Sequence, residues 1–295
     1  MEIHQLRALE AIASEGSFLA AAKRLDLSQS SLSHSIAVLE RELGERLLNR
    51  GRFGAKPTDA GRRVLSYARQ ILSSLDAIRS ETDVSSGLLS GRVRVGSIPS
   101  AAVAFLPKVI ARFTRIHPHV EVVILEDPSQ STQSLEEWLR AQTIDVALVQ
   151  LPAPGMKTTT LMQDELCAIL PSASPLATRR QLSIRDLADE PFIMSRYTSE
   201  PLLRAAYARH RLSPRVRFEV QDLGTLISMV REGLGFSIVP RLAFPVALPG
   251  VTLVPVTPRI HRELGLAIRD QEHTAPALRA FASSVKEMAT KRRRG

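Results

Sequence analysis

Cysteine is nearly missing from this chain of 295 residues: Cys167 stands alone, so no disulfide can close within it, which fits a reducing cytosol. A peroxide sensor of the disulfide type needs two thiols. Only an intermolecular bond or a sulfenic acid is left to Cys167, and a small buried strand residue is the expected role. No stretch of about 18 uncharged apolar residues occurs, so no membrane span is expected. Residues 1–16 have no basic segment leading into an apolar run, so no secretion signal is expected. Signatures of catalysis are scarce as well. G-x-S-x-G is absent, and Gly233-Leu234-Gly235 lacks a third glycine and precedes a strand. His117-Pro118-His119 does not have the H-x-x-x-H spacing of a helical metal site and reads as solvated loop histidines. Neither a cofactor nor a metal is implied, and no nucleophile stands beside a base, so no enzyme activity is expected.

What is present is ordinary folded composition, 44% hydrophobic and 23% charged, in a chain long enough for about two domains. The net charge of +9 is unevenly spread. Residues 1–87 hold 12 basic against 11 acidic side chains, and residues 88–290 hold 23 against 19. Lys291, Arg292, Arg293 and Arg294 form a basic tail that is expected to be disordered. The total therefore proves no polyanion partner. One run does suggest phosphates: Arg46, Arg50, Arg52, Lys56, Arg62 and Arg63 are opposed within 46–63 only by Asp59.

The first 58 residues read as short helices. Ile3, Leu6, Leu9 and Ala13 have the spacing of a buried helix face, and Gly16 ends that helix. Ser17 caps a second helix from Phe18 to Leu25, and after the Asp26-Leu27 turn Ser28 caps a third. In the third, Leu32, Ile36, Leu39 and Leu43 form one apolar stripe, and Ser30, Ser33, His34 and Ala37 fall on the opposite face. A small polar face of this kind suits the major groove, where base edges are read by hydrogen bonds. Two helices across a tight turn suggest a helix-turn-helix. Gly51, Gly54 and Pro57 among Arg50, Arg52 and Lys56 then suggest a basic hairpin beside the groove. Thr58 caps a long helix reaching about Asp83, in which Val64, Ala68, Ile71, Leu75 and Ile78 repeat at heptad spacing and predict a dimer seam.

Ser85, Ser86 and Gly87, with Ser90-Gly91, read as a linker. Beyond it the period changes. Strands at Arg92–Gly96, Val120–Leu125 and Ile144–Val149 alternate with helices at Ala101–Ile116 and Ser131–Ala141. A second group from Phe192 to Val239 repeats the alternation, predicting an α/β fold in two lobes around a mainly parallel sheet. A last helix, Pro276 to Ala289, is expected to return to the first lobe.

Several of these segments resemble one family. Ala21-Ala22-Lys23-Arg24-Leu25, Leu27-Ser28-Gln29-Ser30-Ser31-Leu32-Ser33, Leu39-Glu40-Arg41-Glu42-Leu43-Gly44, Leu47-Leu48-Asn49-Arg50 and Thr58-Asp59-Ala60-Gly61 are similar to the LysR-type transcriptional regulators, as is Val230 to Pro240 far downstream. The resemblance spans nearly the whole chain in order and is most specific over the first 65 residues. It implies a winged helix-turn-helix over 1–58, a dimerisation linker over 59–91, and a two-lobed effector domain like a periplasmic binding protein over 92–295. Lobe I is then about 92–163 with 264–295, and lobe II about 164–263. It also implies promoter DNA, a small-molecule effector and a homodimer or homotetramer as partners, in the cytoplasm, with RNA polymerase a further candidate. Leu48 stands where the family usually has Phe, and His34 where it often has Arg.

Combined with the helical pattern, the resemblance makes Gln29, Ser30, Ser33 and His34 candidates to face base edges, Ser31 a candidate near the backbone, Phe18 a further DNA-binding candidate, and Arg50, Arg52 and Lys56 candidate phosphate or minor-groove contacts. Helix starts after strands at Ser97–Ser100, Asp127–Ser129 and Asp222–Thr225 suit an anion, and the resemblance implies that Ser97, Ser100, Ser129 and Thr225 line an effector pocket. Ser195 and Arg196, after the strand Phe192–Met194, are further candidates, with Arg196 able to pair with a carboxylate and a small anion the expected effector. Two other classes compete: a solute-binding module whose N-terminal helices only dimerise, and a small-molecule enzyme carrying an accessory DNA-binding domain.

Overall fold

The computed structural model describes residues 1–51, 54–85, 89–126, 131–196, 199–244, 246–268 and 275–294. The first body packs α1 (Ile3–Glu15), α2 (Phe18–Arg24) and α3 (Gln29–Leu43) around Leu9, Ile12, Ala21, Leu32, Ile36 and Leu39, all fully buried. The expected caps close these helices. Ser17 Oγ accepts from the Ala20 amide and Ser28 Oγ from the Ser31 amide, each at 3.1 Å. Leu43, the last residue of the apolar stripe, is 40% exposed because α3 there has run past the core.

The hairpin follows as β1 (Leu48–Gly51) and β2 (Gly54–Pro57), antiparallel. It is anchored at both ends. The Glu40 carboxylate accepts from the Leu47 and Leu48 amides at 2.8 and 3.2 Å, and the Ala55 amide donates to the Gly16 carbonyl at 2.7 Å. Thr58 Oγ1 accepts from the Gly61 amide at 2.9 Å and starts α4 (Asp59–Ser85). Gly61 is required there, since a Cβ would lie 1.9 Å from the Leu47 carbonyl oxygen.

The second body holds β3 (Gly91–Ser97), α5 (Pro99–Ala104), α6 (Leu106–Ile116), β4 (Val120–Leu125), α7 (Thr132–Arg140), β5 (Val146–Leu151), β6 (Thr158–Pro171), β7 (Leu182–Ser183), β8 (Phe192–Ser195), α8 (Glu200–Arg209), β9 (Val216–Val220), α9 (Leu223–Arg231), β10 (Ser237–Pro240), β11 (Val251–Ile268) and α10 (Pro276–Arg294). The helix expected over Ala101–Ile116 is broken in two: Pro107 near the start of α6 has no N–H to continue α5.

The sheet is mixed, where a mainly parallel one was expected. Strands β4, β3 and β5 are parallel, but β11 runs antiparallel to both β5 and β6, and β10 is antiparallel to β6. The two long strands β6 and β11 carry the chain between two cores. One core gathers Val93, Val109, Phe113, Val146 and Val149 with Phe281 and Val285 of α10, the Phe113 and Phe281 rings meeting edge-on at 5.1 Å. The other lines both faces of the second-lobe sheet, with Phe192, Tyr207 and Ile238 on one face and Ile193, Leu226 and Val239 on the other. Phe192 and Phe236 bridge β8 to the start of β10. Gly235 is held at φ 157, where a Cβ would lie 2.4 Å from the Pro191 carbonyl oxygen.

The basic tail departs from expectation too. The backbone of α10 continues through Arg294, as helix-favouring cations at a C-terminal end permit.

Candidate functional site

The outward face of α3 stands as the stripe requires. Gln29, Ser30, Ser31 and His34 are exposed and Ser33 is half-buried, while Leu32 and Ile36 on the other side are fully buried. Ser28 Oγ lies 2.9 Å from Ser30 Oγ and 2.8 Å from Ser31 Oγ, so three hydroxyls cluster at the N-terminal end of the helix. Arg50 joins this face from β1: its Nη1 donates to Ser33 Oγ at 3.0 Å, and its guanidinium sits 4.6 Å above the Phe18 ring. Phe18 packs its other side on the head core. Arg50, Ser33 and Phe18 thus form one unit across three elements. Lys56 is exposed on β2, apart from that unit, and Arg52 lies outside the described residues.

The effector candidates scatter more. Ser97 Oγ donates to the Ile98 carbonyl at 3.0 Å. Ser195 Oγ is buried without a hydrogen-bond partner among the described residues. Thr225 is exposed and acts as a cap, its amide and hydroxyl donating to Asp222 Oδ1 at 2.6 and 2.7 Å, which holds the Asp222 carboxyl below its ordinary range. Arg196 is not free to meet a carboxylate: it is an exposed arginine paired with Glu219 at 3.0 Å. Ser129 lies outside the described residues.

Ser100 belongs to a buried network centred on Arg262, whose side chain is 2% exposed. Arg262 Nη2 donates to Ser100 Oγ at 2.5 Å and to Asp164 Oδ2 at 2.7 Å, and Nε donates to the same oxygen at 2.9 Å. Nη1 donates to Ser199 Oγ at 3.3 Å and to Gln150 Oε1 at 3.4 Å, and Ser199 Oγ in turn donates to Gln150 Oε1 at 3.1 Å. Asp164 Oδ1 accepts from the Glu165 and Leu242 amides, both at 3.0 Å. Ser100 starts α5 in the first lobe, Ser199 precedes α8 in the second, and Arg262 and Asp164 sit on the strands between. Burial pulls the Arg262 guanidinium below its ordinary pKa, against the opposing charge of Asp164. An open groove of about 900 Å³, lined in part by Thr158, Gln163, Leu202, His261 and Arg262, adjoins the same crossing strands.

The expected dimer seam divides. Ala68 is 1% exposed and Val64 packs on the head core, so neither lies on an outward seam. Ile71 and Ile78 are 39% and 62% exposed, Leu75 is half-buried, and Tyr67, which the heptad pattern omitted, is 67% exposed beside them. The outward stripe is therefore Tyr67, Ile71 and Ile78, flanked by Leu75.

Residues 3–62 match the family model for a bacterial regulatory helix-turn-helix protein of the lysR family, and residues 86–290 match the LysR substrate binding domain. The chain belongs to the LysR family. A curated relative, the probable HTH-type transcriptional regulator LrrA of Synechococcus elongatus, is 38% identical over 293 residues, 98% of both chains. Among solved structures, a hydrogen-peroxide-bound mutant of OxyR from Corynebacterium glutamicum is 28% identical with a TM-score of 0.63, covering 98% of this chain and 93% of that one. Full-length CbnR complexed with its target DNA has a TM-score of 0.69 at 22% identity, covering 98% and 100%, a likeness of fold. As a LysR-family member the chain is a DNA-binding transcriptional regulator with an effector-binding domain, and not an enzyme. Among its described residues no helix is long and apolar enough to cross a membrane.

Within this LysR-type chain, Arg262, Asp164, Ser199 and Gln150 escaped the sequence reading. Charged residues stand in both β6 and β11, but only the register that sets Asp164 opposite Arg262 makes them a pair.

Proposed function

We propose that this LysR-type regulator reads a specific promoter sequence with the N-terminal half of α3, steadies itself on the backbone with Arg50 and Lys56, and changes that reading when a small polar anion settles between its lobes. Exposed hydroxyls and an imidazole on α3 suit base edges, and the Arg50–Ser33 bond keeps the wing against that face. The outward stripe of α4 pairs two subunits, which suits operators built of two half-sites.

The observation that carries the effector reading is the Arg262 network, because it ties side chains of both lobes to one buried centre. A guest that bonds to Ser100 or Ser199 must exchange bonds with Arg262 and so alters how the lobes meet. Arg262 and Arg196 are already paired, with Asp164 and Glu219 respectively. The anion is therefore held by hydroxyl and amide donors more than by a spare cation. Calorimetric titration with small carboxylates and their matched amides tests this reading. Carboxylates bind, Ser100→Ala weakens them, and the affinity changes little with salt. Binding confined to neutral or cationic compounds, or unaffected by Ser100→Ala, overturns it. A gel shift on the DNA upstream of its own gene separates a regulator from a solute-binding module.

A further inference from the structure

Arg69 lies in α4, yet its guanidinium is spent on the first lobe. Arg69 is 9% exposed, and its Nη1 donates to Thr143 Oγ1 at 2.7 Å and to the Ala141 carbonyl at 3.4 Å, in the turn between α7 and β5. Gln142, in the middle of that turn, is held at φ 58 and is 1% exposed. Its Oε1 and the Arg69 Nε are both buried without hydrogen-bond partners among the described residues. An acceptor and a donor are thus left over in one junction, so a small slide of α4 along the turn has new bonds to make.

Charges from α1, α4, β3 and the start of β5 converge on the same place. The Arg94 amide and guanidinium donate to Asp145 at 2.8, 3.0 and 2.6 Å, fixing the start of β5 beneath the turn. Burial pulls Arg69 below its ordinary pKa, while Glu10 of α1 opposes that and Arg94 adds to it. Burial works the same way on Arg94, but the bond and charge of Asp145, with help from Glu10 and Asp76, outweigh it and raise that group. The DNA-reading head, the linker helix and the first lobe therefore meet in one electrostatic cluster.

We propose that Arg69 is a positioning residue, which sets the angle at which the first lobe holds the DNA-reading head of the same subunit. It acts through Thr143 and the Ala141 carbonyl and touches no DNA. Removing it leaves each head able to read a half-site but frees the pair of heads from a fixed spacing, which costs affinity only on a site long enough to need both.

The single buried Cys167 makes the distance measurable, because cysteines introduced at the exposed positions Glu45 and Arg115 can be spin-labelled selectively in the full chain. With labelled chains diluted in unlabelled ones, the parent gives one narrow distance. Arg69→Ala and Thr143→Val shift or broaden it by about 5 Å, the scale of a one-turn slide, and Arg69→Lys restores it. On DNA selected from a random pool by the parent, Arg69→Ala loses about tenfold on the full site and stays within about twofold on a half-site. Unchanged distances in both Arg69→Ala and Thr143→Val overturn the proposal, as does a lowered melting temperature with an unchanged distance. If Arg69→Ala fails to fold, Thr143→Val decides alone. The distance arm uses neither DNA nor effector, so it can fail while the proposed reading of DNA and effector stands, and the reverse.

Discussion

At the scale of single residues, Arg50 shows how a structure changes the meaning of a basic side chain. The sequence offers it as one cation in a run, but the fold holds it over Phe18 and bonded to Ser33. Its charge is thereby delivered to the edge of the reading face at little further cost in side-chain entropy. Arg50→Ala should weaken binding to all DNA sequences and lower the slope of log affinity against log salt by about 1, whereas Ser33→Ala should change sequence preference. Filter binding across a salt series on selected and scrambled DNA checks both, and an unchanged slope for Arg50→Ala refutes the phosphate role. Cys167 is the opposite case, a residue whose bland reading fits its place. It is fully buried on β6, and burial first of all, with the charge of Glu165, pushes its thiol from the usual 9.0 to about 11. The folded state thus keeps the thiol neutral while the unfolded chain can ionise it. Its stabilisation is complete below pH 9 and is lost between pH 9 and about 11, by at most about 1.4 kcal/mol per pH unit. Urea titrations at pH 8 and 10 should show that extra loss in the parent and not in Cys167→Ala. A colorimetric thiol reagent should react with the native parent only as it unfolds.

At the scale of elements, the legible parts were those with a period or a punctuation mark. The stripe of α3, the caps Ser17, Ser28 and Thr58, and the breaker Gly16 all act within a few residues of themselves, so their physics is written locally. Strands β6 and β11 were not legible. Each serves both lobes and is interrupted by charged or proline residues, such as Asp164, Pro255, Pro258 and Arg262, whose partners lie far off in sequence. The linker was half legible, since heptad spacing reveals an apolar stripe but not what it faces. Val64 faces the head itself and Ala68 is buried, while Tyr67, Ile71 and Ile78 look outward. Ile78→Glu should therefore raise the dissociation constant of the linker pairing about tenfold or more without unfolding the head. Ala68→Glu, a charge forced into a fully buried position, should instead destabilise the folded chain by several kcal/mol, about the cost of an unpaired buried charge. Light scattering over a dilution series with far-ultraviolet circular dichroism separates the two. An Ile78→Glu chain of unchanged mass at every dilution counts against the outward seam.

At the scale of the whole molecule, regulation requires that the lobes be coupled without being welded. In the proposed function the Arg262 network provides the coupling: three guanidinium nitrogens bind groups from α5, β5, β6 and the start of α8, and Asp164 returns the charge. Such a pair is costly to dehydrate and its mutual attraction roughly offsets that cost, so it adds little net stability while demanding one geometry. Removing one member is a different matter. Asp164→Asn leaves a buried guanidinium uncompensated and should destabilise the effector domain by about 3–5 kcal/mol. Replacing both, Asp164→Asn with Arg262→Met, should recover most of that loss, since no buried charge is left and the amide oxygen at 164 still accepts from the Glu165 and Leu242 amides. The stable double variant is the informative one. It keeps the cores of both lobes and loses the bonds to Ser100 and Ser199, so it should melt near the parent temperature yet bind carboxylates at least about tenfold more weakly. If it binds them as the parent does, the network is scaffolding and the effector sits elsewhere. If it melts as low as the single variant, the lobes depend on the ion pair itself, and the coupling between them is rigid.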